Sequence, residues 1–144
     1  MTTPTRRQTV GVDPHHLPAA ALEFLTERHL ASLTTLRADG SPHVVPVGFS
    51  FDPATALVRV ITFAPSVKAR NAARGGRAAV SQVDGGRWIT LEGTCRLATE
   101  ADAVAAAVQG YAARYRQPKE RTDRVAIEIA VDRVLCGAML KGDA

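Results

Sequence analysis

The run Ile61-Thr-Phe-Ala-Pro-Ser-Val-Lys-Ala-Arg-Asn71 holds the densest group of side chains able to receive an anion. It reads as the end of a strand, a tight loop and the start of a helix. Ser66 suits an N-cap and residues 67–74 a helix body. A helix start presents unpaired backbone N–H groups and the positive end of the helix dipole. A phosphate or carboxylate placed there would also meet Ser66 and Lys68. Lys68 and Asn71 are three apart and share a helix face. Arg70 and Arg74 follow on a neighbouring face, and Arg77 comes after Gly75-Gly76. The same pattern fits a solvated basic surface, so a second feature has to show what the anion belongs to.

That feature is the segment His43-Val-Val-Pro-Val47. A planar ring needs a flat apolar wall with backbone within reach, and a strand of Val, Pro and Gly offers one. Trp88, the only tryptophan, falls opposite the apolar row of its own strand. A subunit interface or a flat ligand would cover it. Other chemistries lack their signatures. No hydrolase spacing of nucleophile and base occurs, and neither the dinucleotide fingerprint nor the phosphate loop is present. His15 and His16 are adjacent, but the ligand spacing of a zinc site is absent and no metal is expected. No residue stands out as an acid or base catalyst.

The elements that must position these groups follow from turn chemistry and periodicity. A helix begins at Pro18, with Leu22 and Leu25 on one side. Leu30–Arg37 reads as a strand and residues 38–41 as a turn carrying Asp-Gly. His43–Phe51 returns, with Pro46 and Gly48 marking a bulge, an edge or a close backbone approach. Residues 52–55 turn again and Leu57–Phe63 completes a three-strand meander. After the basic helix, Arg77–Val83 and Trp88–Leu97 form a hairpin about Asp84-Gly85-Gly86. In the second of these strands Ile89, Leu91, Gly93, Cys95 and Leu97 point one way. Thr99 then caps a helix whose apolar stripe is Val104, Val108, Tyr111 and Tyr115. A charged loop over 117–123 precedes a sixth strand with Val125, Ile127, Ile129 and Val131 inward. The expectation is a mainly β protein with short helices: a six-stranded antiparallel split β-barrel.

The 144 residues suit one domain over 17–144, with 1–16 as a flexible N-terminal tail. No apolar run reaches the roughly 20 residues that span a bilayer, and no signal peptide is visible, so a cytoplasmic protein without membrane contact is expected. Cys95 and Cys136 lie among apolar neighbours and read as buried thiols. A net charge of +4 favours an anionic partner, but only 5% of residues are aromatic and no nucleic-acid-binding signature occurs.

Leu33-Thr-Thr-Leu-Arg-Ala-Asp-Gly-Ser-Pro-His-Val-Val-Pro-Val47 resembles the first hairpin of the pyridoxamine-phosphate-oxidase-like, flavin-mononucleotide-binding split barrels. Lys68-Ala-Arg-Asn71 with Arg77 is similar to the phosphate-binding segment of that family. His29–Arg37, Val80–Gly85 and Arg114-Tyr-Arg-Gln-Pro118 resemble its actinobacterial deazaflavin-dependent branch. The resemblance implies a homodimer with two coenzyme sites at the interface. It implies that Thr62, Ser66, Lys68 and Asn71, with Arg77 nearby, hold the phosphate. It places the ring along Pro42, His43, Val45 and Val47, beside Ile61, with Gln82 and Trp88 near the interface. The implied coenzyme is F420, the 8-hydroxy-5-deazaflavin, and the implied activity is hydride transfer to an organic acceptor, biliverdin giving bilirubin. Arg37, Arg87, Arg114 and Arg116, with Lys119 and Arg121, are then candidates for the carboxylates of a tetrapyrrole. Flavin members carry an arginine beside the lysine, where this chain has Val67, which leaves flavin mononucleotide open. A coenzyme- or haem-binding protein without turnover is the reading from another class.

Overall fold

A computed structural model describes residues 11–142; the first ten residues of the expected tail lie outside them. The chain forms helix α1 (Ala19–Phe24), strands β1 (Ala31–Leu36), β2 (Pro42–Val47), β3 (Ser50–Asp52) and β4 (Leu57–Phe63), and helix α2 (Val67–Ala73). There follow β5 (Arg77–Asp84), β6 (Arg87–Ala98), α3 (Ala101–Arg114), β7 (Arg124–Cys136) and a 3-10 turn at Ala138–Leu140. Val12 makes an isolated bridge with Val134. None of the helices is long and apolar enough to cross a membrane, among the described residues.

The sheet has seven strands in the order β2-β1-β5-β6-β7-β4-β3, every neighbouring pair antiparallel. This corrects the expected six. The segment read as one strand over 43–51 is two. β2 pairs with β1 at one edge of the sheet, and β3 pairs with β4 at the other. The meander is therefore absent, since β2 and β4 are not ladder neighbours. Only Gly48 and Phe49 link the two edge strands, so the sheet curls until its edges approach without closing.

The break has a physical cause. The Phe49 N–H donates to Tyr115 Oη at 3.2 Å, and its carbonyl accepts from Arg114 Nη1 at 2.8 Å. Backbone groups that would have continued a ladder are taken by side chains from the end of α3. Gly48 permits the approach: a Cβ there would stand 2.9 Å from the Tyr111 ring and 3.0 Å from that of Tyr115. Gly93 plays a similar part at the register shift in β6, where a Cβ would come 1.9 Å from the Ala130 carbonyl oxygen.

The core lies inside the curl. Phe24, Leu33, Phe49, Val58, Val60, Val80, Ile89, Leu91, Ile127 and Ile129 are all buried there. The alternation expected in β6 is present, with Ile89, Leu91 and Cys95 buried. Both cysteines are buried free thiols. β7 is buried on both faces over Val125–Ile129, because α3 covers its outer side through Ala107 against Ala98 and Ala126. That contact corrects the stripe assigned to α3. Its packed face runs through Ala107 and Arg114, while Val104, Val108 and Tyr111 remain half-exposed. Thr99 is not the cap; Glu100 occupies that position and makes no side-chain cap bond. Ser66 does cap α2, its Oγ accepting from Ala69 N–H at 3.2 Å.

Two polar clasps tie the helices to the barrel. Arg114 is 8% exposed and donates from Nε to Glu27 O at 2.8 Å, from Nη1 to Phe49 O, and from Nη2 to Gln82 Oε1. Gln82 in turn donates to Phe24 O at 3.0 Å. Near the surface, Arg87 pairs with Glu27 at 2.8 Å and Asp84 at 2.7 Å and lies over the Phe24 ring. Glu27 and His29 also meet at 2.9 Å.

Replacing Arg114 by Met would orphan the buried Phe49 carbonyl and the Gln82 amide oxygen, while the Glu27 carbonyl keeps the His29 N–H. It should cost at least about 3 kcal/mol in urea unfolding, and a loss under about 1 kcal/mol would refute the clasp. The hydrogen bond from Arg87, then that with His29, holds the Glu27 carboxyl at about 2, below its ordinary 4.5. A depressed carboxyl stabilises the fold above its unfolded value, and the contribution fades as pH falls from about 4.5 towards 2. Glu27→Gln should therefore lower the urea midpoint at pH 7 and converge on the wild type across that window; a difference independent of pH would contradict the assignment.

Candidate functional site

The near-meeting of the sheet edges leaves a groove of about 470 Å³. One wall is the end of β2 with the break after it (Pro46, Val47, Gly48), and the facing wall is the end of β4 (Ile61, Thr62, Phe63). Lys68 of α2 and Tyr111 of α3 close two sides, and the segment 116–124 brings Arg116, Gln117, Pro118, Lys119, Arg121 and Arg124 to the rim. β2 lies flat against this space because it is an edge strand, where Pro46 costs no ladder hydrogen bond.

The groove is strongly cationic. Lys68 is half-buried, and burial lowers the pKa of its ammonium group. Its Nζ lies 5.9 Å from the centre of the Phe63 ring. Arg121 stacks on the same ring at 4.5 Å but is paired with Asp123 at 2.8 Å. Arg124 donates to the Lys119 carbonyl. Among the described residues, Lys68, Arg116 and Lys119 have neither a carboxylate within salt-bridge distance nor a side-chain hydrogen bond, whereas Arg124, also without a carboxylate, is held by the Lys119 carbonyl. Three cations turned towards one cavity without a counter-charge leave room for an anionic ligand. Thr62 Oγ1 and Ser66 Oγ are 3.0 Å apart, and both residues are buried.

Of the residues expected at a coenzyme site, Val47, Ile61, Thr62 and Lys68 meet in this groove, and Ser66, outside its lining, is bonded to Thr62. Of those expected at a substrate, Arg116, Lys119 and Arg121 line it. Pro42, His43 and Val45 lie further along β2, outside the lining. His43 shares a strand face with Val45 and Val47. Its Nδ1 is buried without a partner, and burial first, then the charges of Arg37 and Lys68, lower its pKa. Asn71 is buried between Thr35 Oγ1 at 3.0 Å and Arg74 at 2.6 Å. Arg77 grips Asp132 at 2.6 and 2.8 Å. Gln82 is held by Phe24 and Arg114 within the core. Trp88 stays 39% exposed on the outer sheet face, its ring over Gly137. Arg37 donates to the Pro42 carbonyl at 2.7 Å, and Arg87 and Arg114 serve the clasps.

Several lining residues carried no signal as ligands in the sequence. Tyr111 belongs to an apolar helical stripe, and only its closeness to Gly48 brings it to the groove. Phe63, Gln117, Pro118 and Arg124 sit in a strand end and a charged loop whose path over the groove depends on tertiary contacts. One of these joins Ala64 N–H to Asp123 O at 2.9 Å. Glu27, His29 and Asp84 come together on the surface, yet Arg87 hydrogen-bonds both carboxylates, so the cluster is an ion-pair node.

Residues 17–135 match the pyridoxamine 5'-phosphate oxidase family. A protein of Mycobacterium tuberculosis (strain CDC 1551 / Oshkosh) named F420H(2)-dependent biliverdin reductase is 58% identical over 120 residues, covering 83% of this chain and 88% of the relative. Among solved structures, a conserved hypothetical protein from Mycobacterium tuberculosis superposes with a TM-score of 0.71 at 22% identity, covering 83% of this chain and 82% of that one. A structure described as an F420 reductase gives 0.64 at 23%, covering 78% and 94%. At these identities the two structures speak to fold alone. The family match over most of the chain, with the relative of high identity, places the chain in the pyridoxamine 5'-phosphate oxidase family.

Proposed function

We propose that this chain is an F420-dependent reductase that converts biliverdin to bilirubin. The observation that carries the reading is the groove: an apolar strand wall facing three cations without counter-charges, in a chain 58% identical to a protein named for that activity. The donor set fits a phosphate-bearing planar coenzyme. Lys68 reaches the phosphate as a charged donor, and the paired Thr62 and Ser66 hydroxyls offer further donors. Val47, Gly48 and Ile61 give the ring a dry, flat wall, and Lys119 suits a further carboxylate of the coenzyme.

When bound, reduced F420 supplies a hydride: two electrons and a hydrogen pass to the central methine carbon of biliverdin, and a pyrrole nitrogen takes up a proton. The chain's own contribution is to hold donor and acceptor in register and exclude water from the wall. No carboxylate or histidine lines the groove among the described residues, so in this reading water delivers the proton. The two buried free thiols fit the reducing cytoplasm, where we place the protein.

We further infer a homodimer built on the outer face of β2-β1-β5-β6-β7. Val44, Val83, Trp88 and Leu135 are exposed there, with Val83 directly opposite Trp88 and Leu135 opposite Thr90. So much apolar surface on one sheet face is uncommon in a monomer.

Titration with F420 and flavin mononucleotide side by side should give the tighter complex with F420, and Lys68→Ala should weaken it by about 1.5–3 kcal/mol. Preference for flavin, or an unchanged dissociation constant in the variant, would overturn the assignment. Light scattering at micromolar concentration should report a dimer, and Trp88→Arg a monomer; a monomeric wild type would refute the interface.

A further inference from the structure

A second cleft, of about 330 Å³, adjoins the groove and is lined by Arg28, His29, Leu30, Tyr111, Tyr115 and Arg116. Tyr111 and Arg116 line both cavities, so one aromatic ring and one guanidinium stand at their junction. The two differ in chemistry. The groove carries five cations at its walls and rim. The cleft carries two guanidinium groups against an apolar and aromatic surface. Leu30 is 66% exposed at its edge, and the Tyr111 and Tyr115 rings lie 4.9 Å apart.

The polar groups of the cleft are largely committed, with two exceptions. His29 is engaged by Glu27. Tyr115 Oη donates to the His29 carbonyl at 2.6 Å. Arg28 gives one Nη2 bond to the Tyr115 carbonyl at 2.6 Å, which fixes its guanidinium and leaves its other donors available. Neither Arg28 nor Arg116 has a carboxylate partner among the described residues. Two arginines beside a flat hydrophobic surface suit a conjugated ligand that carries carboxylates.

We propose that this cleft seats the electron acceptor: one half of a linear tetrapyrrole, its rings against Leu30 and Tyr111 and its propionate on Arg28, with Arg116 at the junction taking the propionate of the other half. The cleft is too small to enclose a whole tetrapyrrole, so the centre of the ligand lies at the Tyr111 junction, facing the neighbouring groove. This rests on the functional reading above, and it assigns to Arg28 and Leu30 a role in acceptor specificity. The coenzyme keeps the more cationic groove, and the acceptor enters from the other side of Tyr111.

The test loads the protein with oxidised F420, titrates in biliverdin or its dimethyl ester, and reads the bilin absorbance. Turnover with reduced F420 gives KM and kcat. Leu30→Glu and Leu30→Gln differ in charge at an exposed position that both should tolerate, and Arg28→Gln removes a guanidinium. Leu30→Glu should bind biliverdin about tenfold more weakly than Leu30→Gln, and Arg28→Gln should lose a similar factor. The effect should fall on KM, vanish with the dimethyl ester, and leave the F420 dissociation constant of Leu30→Glu as in the wild type. Equal biliverdin affinity in the two Leu30 variants, or equal sensitivity of acid and ester, would overturn the proposal. Failure of the wild type to bind F420 would instead sink the underlying functional reading, and the acceptor site with it.

Discussion

The guanidinium of Arg114 is where three distant parts of the chain meet. A buried arginine whose hydrogen-bond acceptors are two carbonyls and an amide oxygen is costly to desolvate, and it is tolerated only because each acceptor is held in place. Phe49 supplies one carbonyl because the chain has left the β2 ladder there. Glu27 supplies another from within the loop after α1. Gln82 is fixed from behind by the Phe24 carbonyl. The next residue, Tyr115, completes the arrangement by accepting the Phe49 N–H and donating to His29 O. The C-terminal end of α3 is thereby locked against both edges of the sheet.

That lock determines where both cavities lie. Tyr111 and Arg116 flank the locked residues along the chain, so they are delivered to the junction between groove and cleft. Gly48 is the complementary requirement, since no side chain fits between the backbone there and the two tyrosine rings. Charge is distributed to match. Arginines that serve the fold, such as Arg77, Arg87 and Arg96, are paired with carboxylates. Those left without such partners at the cavities are the ones an anionic ligand can reach.

Much of this was legible in the sequence where the cause is local. Asp39-Gly40 and Asp84-Gly85 mark hairpins that form as read, and Ser66 with Gly75-Gly76 brackets α2. The strand–turn–helix pattern points to Lys68, the apolar strand over 43–47 to Val47 and the family resemblance to Thr62, and the three meet at one groove. The division of the strand over 43–51 was not legible, because its cause lies 65 residues away in Arg114. Gln82 and Asn71 have the appearance of ligand groups, but their partners are remote in sequence and inside the fold. The helical period located an apolar row on α3 without saying which row packs. The smaller side chain of Ala107 lies against Ala126, and this leaves Tyr111 beside the groove.

The groove between the sheet edges has to be the coenzyme site for these roles to hold. A crystal structure of the protein with F420 tests this most directly. The coenzyme phosphate should lie within hydrogen-bond distance of Lys68, with the ring against Val47 and Ile61. Density for the coenzyme anywhere remote from Lys68, with the groove empty, would contradict it.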